Sequence, residues 1–266
     1  MRLLASAWLA LLLAAPLAHA QAGHSVFLED LTWTEVRAEA KAGKTIVLVP
    51  IGGTEQSGPQ IALGKHNVRA RVLAGRIAQS LGNALVAPVV AYVPEGSVNP
   101  PAGHMRFPGT ITVPDEVFEK TLESAARSFR LHGFREVFFL GDHGGYQKSL
   151  ERAAEHINQE KGNHRFRAHA LTAYYEAASR GFDALLLARG FTREEIGLHA
   201  GLADTALTLA LAPELVRTDR IAGPNMGPAD GVQGKPARAS AELGRLGADL
   251  IVERSVAAIR EATGAR

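Results

Sequence analysis

Apolar runs of strand length alternate along the chain with amphipathic stretches of helix length. Residues 45–50 (TIVLVP), 84–92 (ALVAPVVAY), 136–140 (EVFFL) and 167–173 (RAHALTA) read as strands, and near-continuous apolar runs are what strands buried on both faces present. Between them, residues 68–81, 115–132 and 147–160 repeat apolar positions with a helical period, the second led by Pro114-Asp115 as a helix start. Strands alternating with helices predict an α/β fold with a mainly parallel sheet covered on both faces. Residues 200–212 and 239–259 predict two more helices, separated by a Gly/Pro-rich loop over 222–236. Neither an internal repeat nor a low-complexity linker divides the chain, so one domain over residues 21–266 is the simplest organisation.

The opening MRLLASAWLALLLAAPLAHA alters that picture only at the N-terminus. One positive charge at Arg2, an apolar run from Leu3 to Leu17 and the ending Ala18-His19-Ala20 form a signal-peptide pattern over residues 1–20. Cleavage after Ala20 is expected, because the run is shorter than the ~20 residues a spanning helix needs. The mature chain is then periplasmic or secreted, with no later stretch apolar enough to cross a bilayer. Removing Arg2 from 29 basic residues leaves 28 against 27 acidic ones, and this scattered near-balance excludes a basic nucleic-acid surface. There is no cysteine, so a metal site must draw on His, Asp and Glu.

In open α/β sheets ligands bind beyond the carboxyl ends of the strands. Three polar, glycine-rich segments fall there: residues 51–67, 94–110 and 141–146. The first places Glu55 and His66 on a loop, and the third places His143 between a strand and a Gly-Gly turn. Glu55, His66 and His143 make a two-imidazole, one-carboxylate set that suits Zn²⁺ with a position open for water. Such a metal acidifies water and polarises a carbonyl, as amide hydrolysis requires. Asp142 is either a partner that orients His143 or an ordinary loop carboxylate. His199 and Asp204 open an apolar helix. His199 reads as a proton donor or substrate-orienting group, and Asp204 as a ligand, a base or plain helix-end electrostatics.

Five ordered blocks, EQSGPQIALGKHN, HMRFPGTITV, FFLGDHGGYQ, HAGLADTAL and GVQGKPARASAELG, make the chain resemble the creatininase (creatinine amidohydrolase) family over nearly the whole mature length. That resemblance implies a three-layer αβα fold, hexameric assembly, and metal-assisted hydrolysis of a C–N bond in a small cyclic or formyl amide. It matches Glu55 and His143 to metal ligands, His199 to a proton shuttle, and His104 with Phe107-Pro108-Gly109-Thr110 to a block beside the site.

The departures from the family pattern are specific. Ser57 stands where a second ligand His is usual, Gln60 where another His is common, and His66 where an Asp bridges two metals. Gly145 replaces a Glu ligand, Asp204 a Glu, and Lys235 the Asp of a late Gly-Asp-Pro. The expectation is therefore one divalent cation per chain, zinc by preference with manganese or iron as alternatives. Glu55, His66 and His143 hold it, with Asp204 as fourth ligand or catalytic base beside His199. Ser57, His104, Gly144 and Gly145 are expected to contact a small-molecule substrate. The competing expectation is a non-catalytic descendant that uses the cleft only to bind a small molecule. Creatinine itself is disfavoured, because Trp8 and Trp33 lie outside the matched blocks, although Tyr174 and Tyr175 could line a pocket.

Overall fold

Alternate residues along the two central strands point to opposite faces, and both sets are buried. In the computed structural model, which describes residues 25–161, 165–221 and 226–264, β1 (Ile46–Ile51) and β3 (Glu136–Gly141) pair in parallel from Ile46–Glu136 to Ile51–Gly141. β2 (Ala84–Val86) and β4 (Arg167–Ala170) flank them, giving the all-parallel order β2-β1-β3-β4. Ile46, Leu48, Phe138 and Leu140 face one core, and Val47, Val49, Val137 and Phe139 face the other. A sheet with two apolar faces needs a helical layer on each. The observed architecture is accordingly three-layer αβα. The expected signal segment, Trp8 and residues 222–225 of the expected loop lie outside the described residues.

One layer contains α3 (Asp115–Leu131) and α4 (Gln147–Gln159), which bury Phe118, Leu122, Leu150 and Ile157. Residues of α1 (Trp33–Lys41), which starts at a Thr32–Glu35 capping box, pack at the edge of that core. The other layer contains α2 (Lys65–Leu81), the continuous run α5 (Thr172–Glu176), a π-helical turn (Ala177–Gly181) and α6 (Phe182–Leu187), and then α8 (Leu202–Leu211) and α10 (Ala241–Thr263). The short helices α7 (Arg193–Ile196) and α9 (Thr218–Ile221) bracket α8 in sequence. No helix among the described residues is long and apolar enough to cross a membrane.

Several element boundaries differ from the sequence expectation, and three of the differences bear on the sheet or the site. The strand expected over 84–92 stops at Val86, because Pro88 has no N–H to continue the ladder; the chain rejoins β1 only where the Val90 N–H donates to Pro50. The last strand ends at Ala170, and α5 begins at Thr172 inside the expected strand. Finally, α2 begins at Lys65, not residue 68, so His66 sits on a helical turn where a loop was expected. Its start carries no side-chain cap and no acidic residue, which removes the signals that mark a helix N-terminus.

The strand order reverses direction at β1, so the crevice between the carboxyl ends of β1 and β3 is the topological switch point. The Tyr146 hydroxyl ties the two ends together. It accepts from the His143 N–H at 3.1 Å and donates to the carbonyls of Ile51 and Gly52 at 2.9 and 2.7 Å.

α10 lies tightly on α8 at Gly244, where an added Cβ would fall 1.8 Å from the Ala206 carbonyl oxygen. Gly244→Ala would gain up to ~1 kcal/mol of helix propensity, but overpacking a close helix contact costs roughly 1–3 kcal/mol. We expect the variant to be destabilised by about 1–2 kcal/mol in urea unfolding; an unchanged midpoint would show that the two helices separate freely.

Candidate metal centre and cleft

Glu55 lies at the end of the chain segment leaving β1, fully buried. Its Oε1 meets His66 Nε2 at 2.8 Å and Lys65 Nζ at 3.5 Å, and its Oε2 faces His104 Nε2 at 3.1 Å and His143 Nε2 at 3.4 Å. Burial alone would raise the Glu55 carboxyl, but the charge of Lys65 and the His66 hydrogen bond hold it well below its ordinary value. Glu95, on the segment after β2, approaches from the other side, with its Oε2 3.7 Å from His143 Nδ1. Burial and the nearby Glu55 carboxylate push Glu95 up to about 9. Glu95 reaches this place because Gly53 adopts φ +145°; a Cβ at Gly53 would sit 2.4 Å from Glu95 Oε1.

Donor atoms of Glu55, Glu95, His104 and His143 all lie within 4.8 Å of one another. Glu55 Oε2 and both Glu95 oxygens are buried and receive no well-formed hydrogen bond from a nitrogen or hydroxyl donor; without a cation the two acids share a proton. Burying two acids side by side is expensive, and their oxygens around two imidazoles are the donor set a divalent cation satisfies. These four residues could hold one.

The structure brings Glu55 and His143 together as the sequence suggests, but gives His66 and Asp204 other work. His66 Nδ1 faces Asp142 Oδ2 at 2.6 Å and its Nε2 faces Glu55 Oε1 at 2.8 Å, so each ring nitrogen meets a carboxylate. Burial and Lys65 oppose its protonation, yet the two carboxylates raise it above its ordinary value. Asp142 therefore orients His66, not His143, and accepts a second bond from the Tyr174 hydroxyl at 2.7 Å. Asp204 Oδ2 accepts from Lys65 Nζ and the Ala200 N–H, both at 2.8 Å, and its Oδ1 accepts from Arg69 at 2.8 Å. Despite burial, Lys65 and Arg69 hold it well below its ordinary value. A carboxylate committed to two cations and a backbone amide is a counter-ion; as ligand or base it would have to give these up.

Above the centre lies a cleft of about 310 Å³ lined by His104, His143, Gly144, Tyr175, Ser179, His199 and Asp204, among others. The π-helical turn contributes Ala178 and Ser179 to its wall, a placement common for π-bulges. Gly144 lies against Tyr175, whose hydroxyl would be 2.4 Å from an added Cβ, and a Cβ on Gly145 would come 2.8 Å from the His143 ring. Ser57 is buried with its hydroxyl unpartnered, and Tyr174 is buried beneath Asp142. His199 follows the α7–α8 turn, where Ala200 takes the left-handed φ of +54°, a strained conformation for alanine. It is held by the Asp204 bond and by Gln60 Nε2, which donates to the Ala200 carbonyl at 2.7 Å. The His199 Nε2–H donates to the Gln56 carbonyl at 2.8 Å, so the neutral ring presents Nδ1 as an acceptor, 3.7 Å from Glu55 Oε1. Burial lowers both His143 and His199 to about 4.

Sequence reasoning missed Glu95, Lys65 and Arg69. Glu95 lies in the second of the loops singled out, between Pro94 and Gly96. Lys65 and Arg69 share one face of α2 at i and i+4, a pattern visible only once the helix starts at residue 65.

The fold and site together define an α/β protein with a cation-type donor cluster under a small cleft. Residues 29–259 match the family described as Creatininase: Creatinine amidohydrolase, and the chain belongs to that family. It is 27% identical over 258 residues to a creatinine amidohydrolase of Pseudomonas putida, covering 89% of this chain and 97% of that protein. It is 30% identical over 190 residues to a mycofactocin precursor peptide peptidase of Mycobacterium ulcerans (strain Agy99), covering 68% of this chain and 64% of that one. A solved creatininase variant titled as a Zn-Zn type superposes with a TM-score of 0.75 at 27% identity over 90% of this chain and 98% of its own. Another, titled "Creatininase Mn", gives 0.74 at 26% identity over 90% and 99%.

The charges in this cluster fix how metal-free stability depends on pH. From about 4 to 6.5 the unfolded chain binds protons at His143 and His199 that the folded chain refuses, so stability rises with pH. Above 6.5 those residues no longer contribute, while the folded chain keeps protons on Glu95, up to about 9, and on His66 that the unfolded chain has lost, so stability falls. The melting temperature in EDTA should peak near pH 6.5, and Glu95→Gln should flatten the fall between pH 7 and 9. A profile that still rises across that range would refute the buried proton on Glu95.

Proposed function

We propose that this chain is an exported amidohydrolase that holds one divalent cation between Glu55, Glu95, His104 and His143 and cleaves a C–N bond in a small amide. The observation that carries the reading is a buried pair of acids, Glu55 and Glu95, crowded against each other beside two neutral imidazoles, with Glu55 Oε2 and both Glu95 oxygens receiving no well-formed hydrogen bond from a nitrogen or hydroxyl donor. A cation bound there polarises an amide carbonyl and acidifies water. Its mixed nitrogen and oxygen donors suit zinc, with manganese or iron as alternatives.

The chain's own residues supply the rest. His66 grips Glu55 Oε1 from one side, leaving Oε2 turned to the site. His199, neutral near pH 7 and with Nε2–H fixed on the Gln56 carbonyl, offers Nδ1 to take up a proton and later return it to the leaving nitrogen. Ser57, Gly144 and Gly145 shape the surroundings: Gly144 lines the cleft where any side chain would meet Tyr175. A cleft of about 310 Å³ has room for a ligand displacing ~10 waters, which fits a lactam, a formyl amide or one end of a peptide.

A single cation is favoured because both His66 nitrogens face carboxylates and Ser57 offers only a buried hydroxyl. The signal-peptide pattern supports export, and family membership supports a homo-oligomer, hexameric by resemblance.

Metal analysis of the mature protein should give about one zinc per chain. His143→Ala and Glu95→Ala should each weaken zinc binding by at least ~100-fold, whereas Asp204→Asn should keep the stoichiometry while lowering stability. Two atoms per chain, or zinc lost with Asp204→Asn but kept with Glu95→Ala, would overturn the proposed set. With metal bound, His199→Gln should lower kcat for a hydrolysed amide by roughly 10²–10⁴ with little change in zinc content. A panel of lactams, N-formyl amines and short peptides that yields no hydrolysis by the zinc-loaded protein would refute the enzyme and leave a binding protein.

A further inference from the structure

The charges that line the cleft can be sorted by what already holds them. Lys65 is matched by Asp204 at 2.8 Å, and Arg69 by Asp204 at 2.8 Å and Asp142 at 3.2 Å. His66 lies between Glu55 and Asp142. His104, His143 and His199 are all shifted toward their neutral forms, chiefly by burial.

Asp183 remains. It lines the same cleft from α6, directly after the π-helical turn, and is half-buried. No hydrogen bond or ion pair within 4.0 Å engages its carboxylate among the described residues. Burial raises its carboxyl above the ordinary value and the Asp204 charge adds to this, with Arg193 opposing only at longer range. Beside it the wall is apolar, formed by Ala178, Ile196 and Leu207, with Leu198 88% exposed at the rim. Pockets are built from apolar walls with a few polar groups that fix orientation, and here Asp183 is the one uncommitted charge.

We infer that Asp183 is a specificity residue, receiving a cationic nitrogen, an ammonium or guanidinium group, carried by the substrate on a short aliphatic arm. Asp183 accepts hydrogen bonds from that nitrogen while Ala178, Ile196 and Leu207 cover the arm. A cation at Asp183 removes the cost of a half-desolvated, unpaired carboxylate. Without the bound metal an anionic ligand would meet Asp183 with no free cation to compensate, since Lys65 and Arg69 are already matched. Neutral analogues lose the charge-assisted bond. This rests on the proposal that the cleft is the substrate site, but not on hydrolysis itself.

The test compares n-butylguanidinium, its neutral isostere N-butylurea, and butanoate by calorimetry on the zinc-supplemented full-length mature protein, repeated in EDTA. We expect n-butylguanidinium to bind at least ~10-fold more tightly than N-butylurea, which corresponds to ~1.4 kcal/mol, and, in EDTA, butanoate to bind weakest. Asp183→Asn, checked by its melting curve, should bring guanidinium and urea to within about 2-fold of each other. Equal binding of the two isosteres to the unaltered protein, a preference for butanoate in EDTA, or a guanidinium preference that survives Asp183→Asn would each overturn the inference. Because the readout is binding and not turnover, a protein that binds the cation but hydrolyses nothing leaves this inference standing and removes only the enzyme. Conversely, hydrolysis of neutral amides without any cation preference removes only Asp183.

Discussion

Everything at the switch point depends on burying charge without leaving it alone. The first turns of α2 carry Lys65, His66 and Arg69 into the interior, where the helix dipole disfavours cations by only ~0.3–1 kcal/mol. An unmatched buried ion costs several kcal/mol, so the arrangement of opposite charges decides the structure. Glu55 comes from the β1 end, Asp142 from the β3 end and Asp204 from α8, and each meets at least one cation of α2. Three segments that share no sequence proximity are thereby fixed to one helix.

That arrangement explains a division of roles among the carboxylates. Asp142 and Asp204 are saturated and stay ionised; they hold the helix in place. Glu55 is gripped on one oxygen and free on the other, and Glu95 is free on both. Among these four carboxylates, incomplete satisfaction falls at one point under the cleft. His66, beside it, is a helix-borne imidazole held between two acids.

The layer architecture was legible because strands buried on both faces have an unmistakable composition: TIVLVP and EVFFL became β1 and β3 with a one-residue shift at most. The second strand was overread, since the apolar run continues past Pro88 while the ladder breaks there and resumes only as a single bridge at Val90. The site was half legible. Glu55, His143 and His199 stand out by block and position. The partners of His66 and Asp204 do not, because the pairings span 76 and 139 residues and leave no local pattern. Glu95 was invisible for a different reason: a lone Glu in a polar loop looks solvated, and only the backbone of a distant glycine shows that it is not.

That glycine sets a limit on how the chain can change. Gly53 and Glu95 belong to segments leaving neighbouring strands, and the space one lacks is the space the other fills. Any side chain at position 53 would need both a backbone conformation that L residues rarely adopt and a shorter residue at 95. Drift at the two positions is therefore ordered: the acid must go first, and its recovery is blocked once the glycine has been replaced.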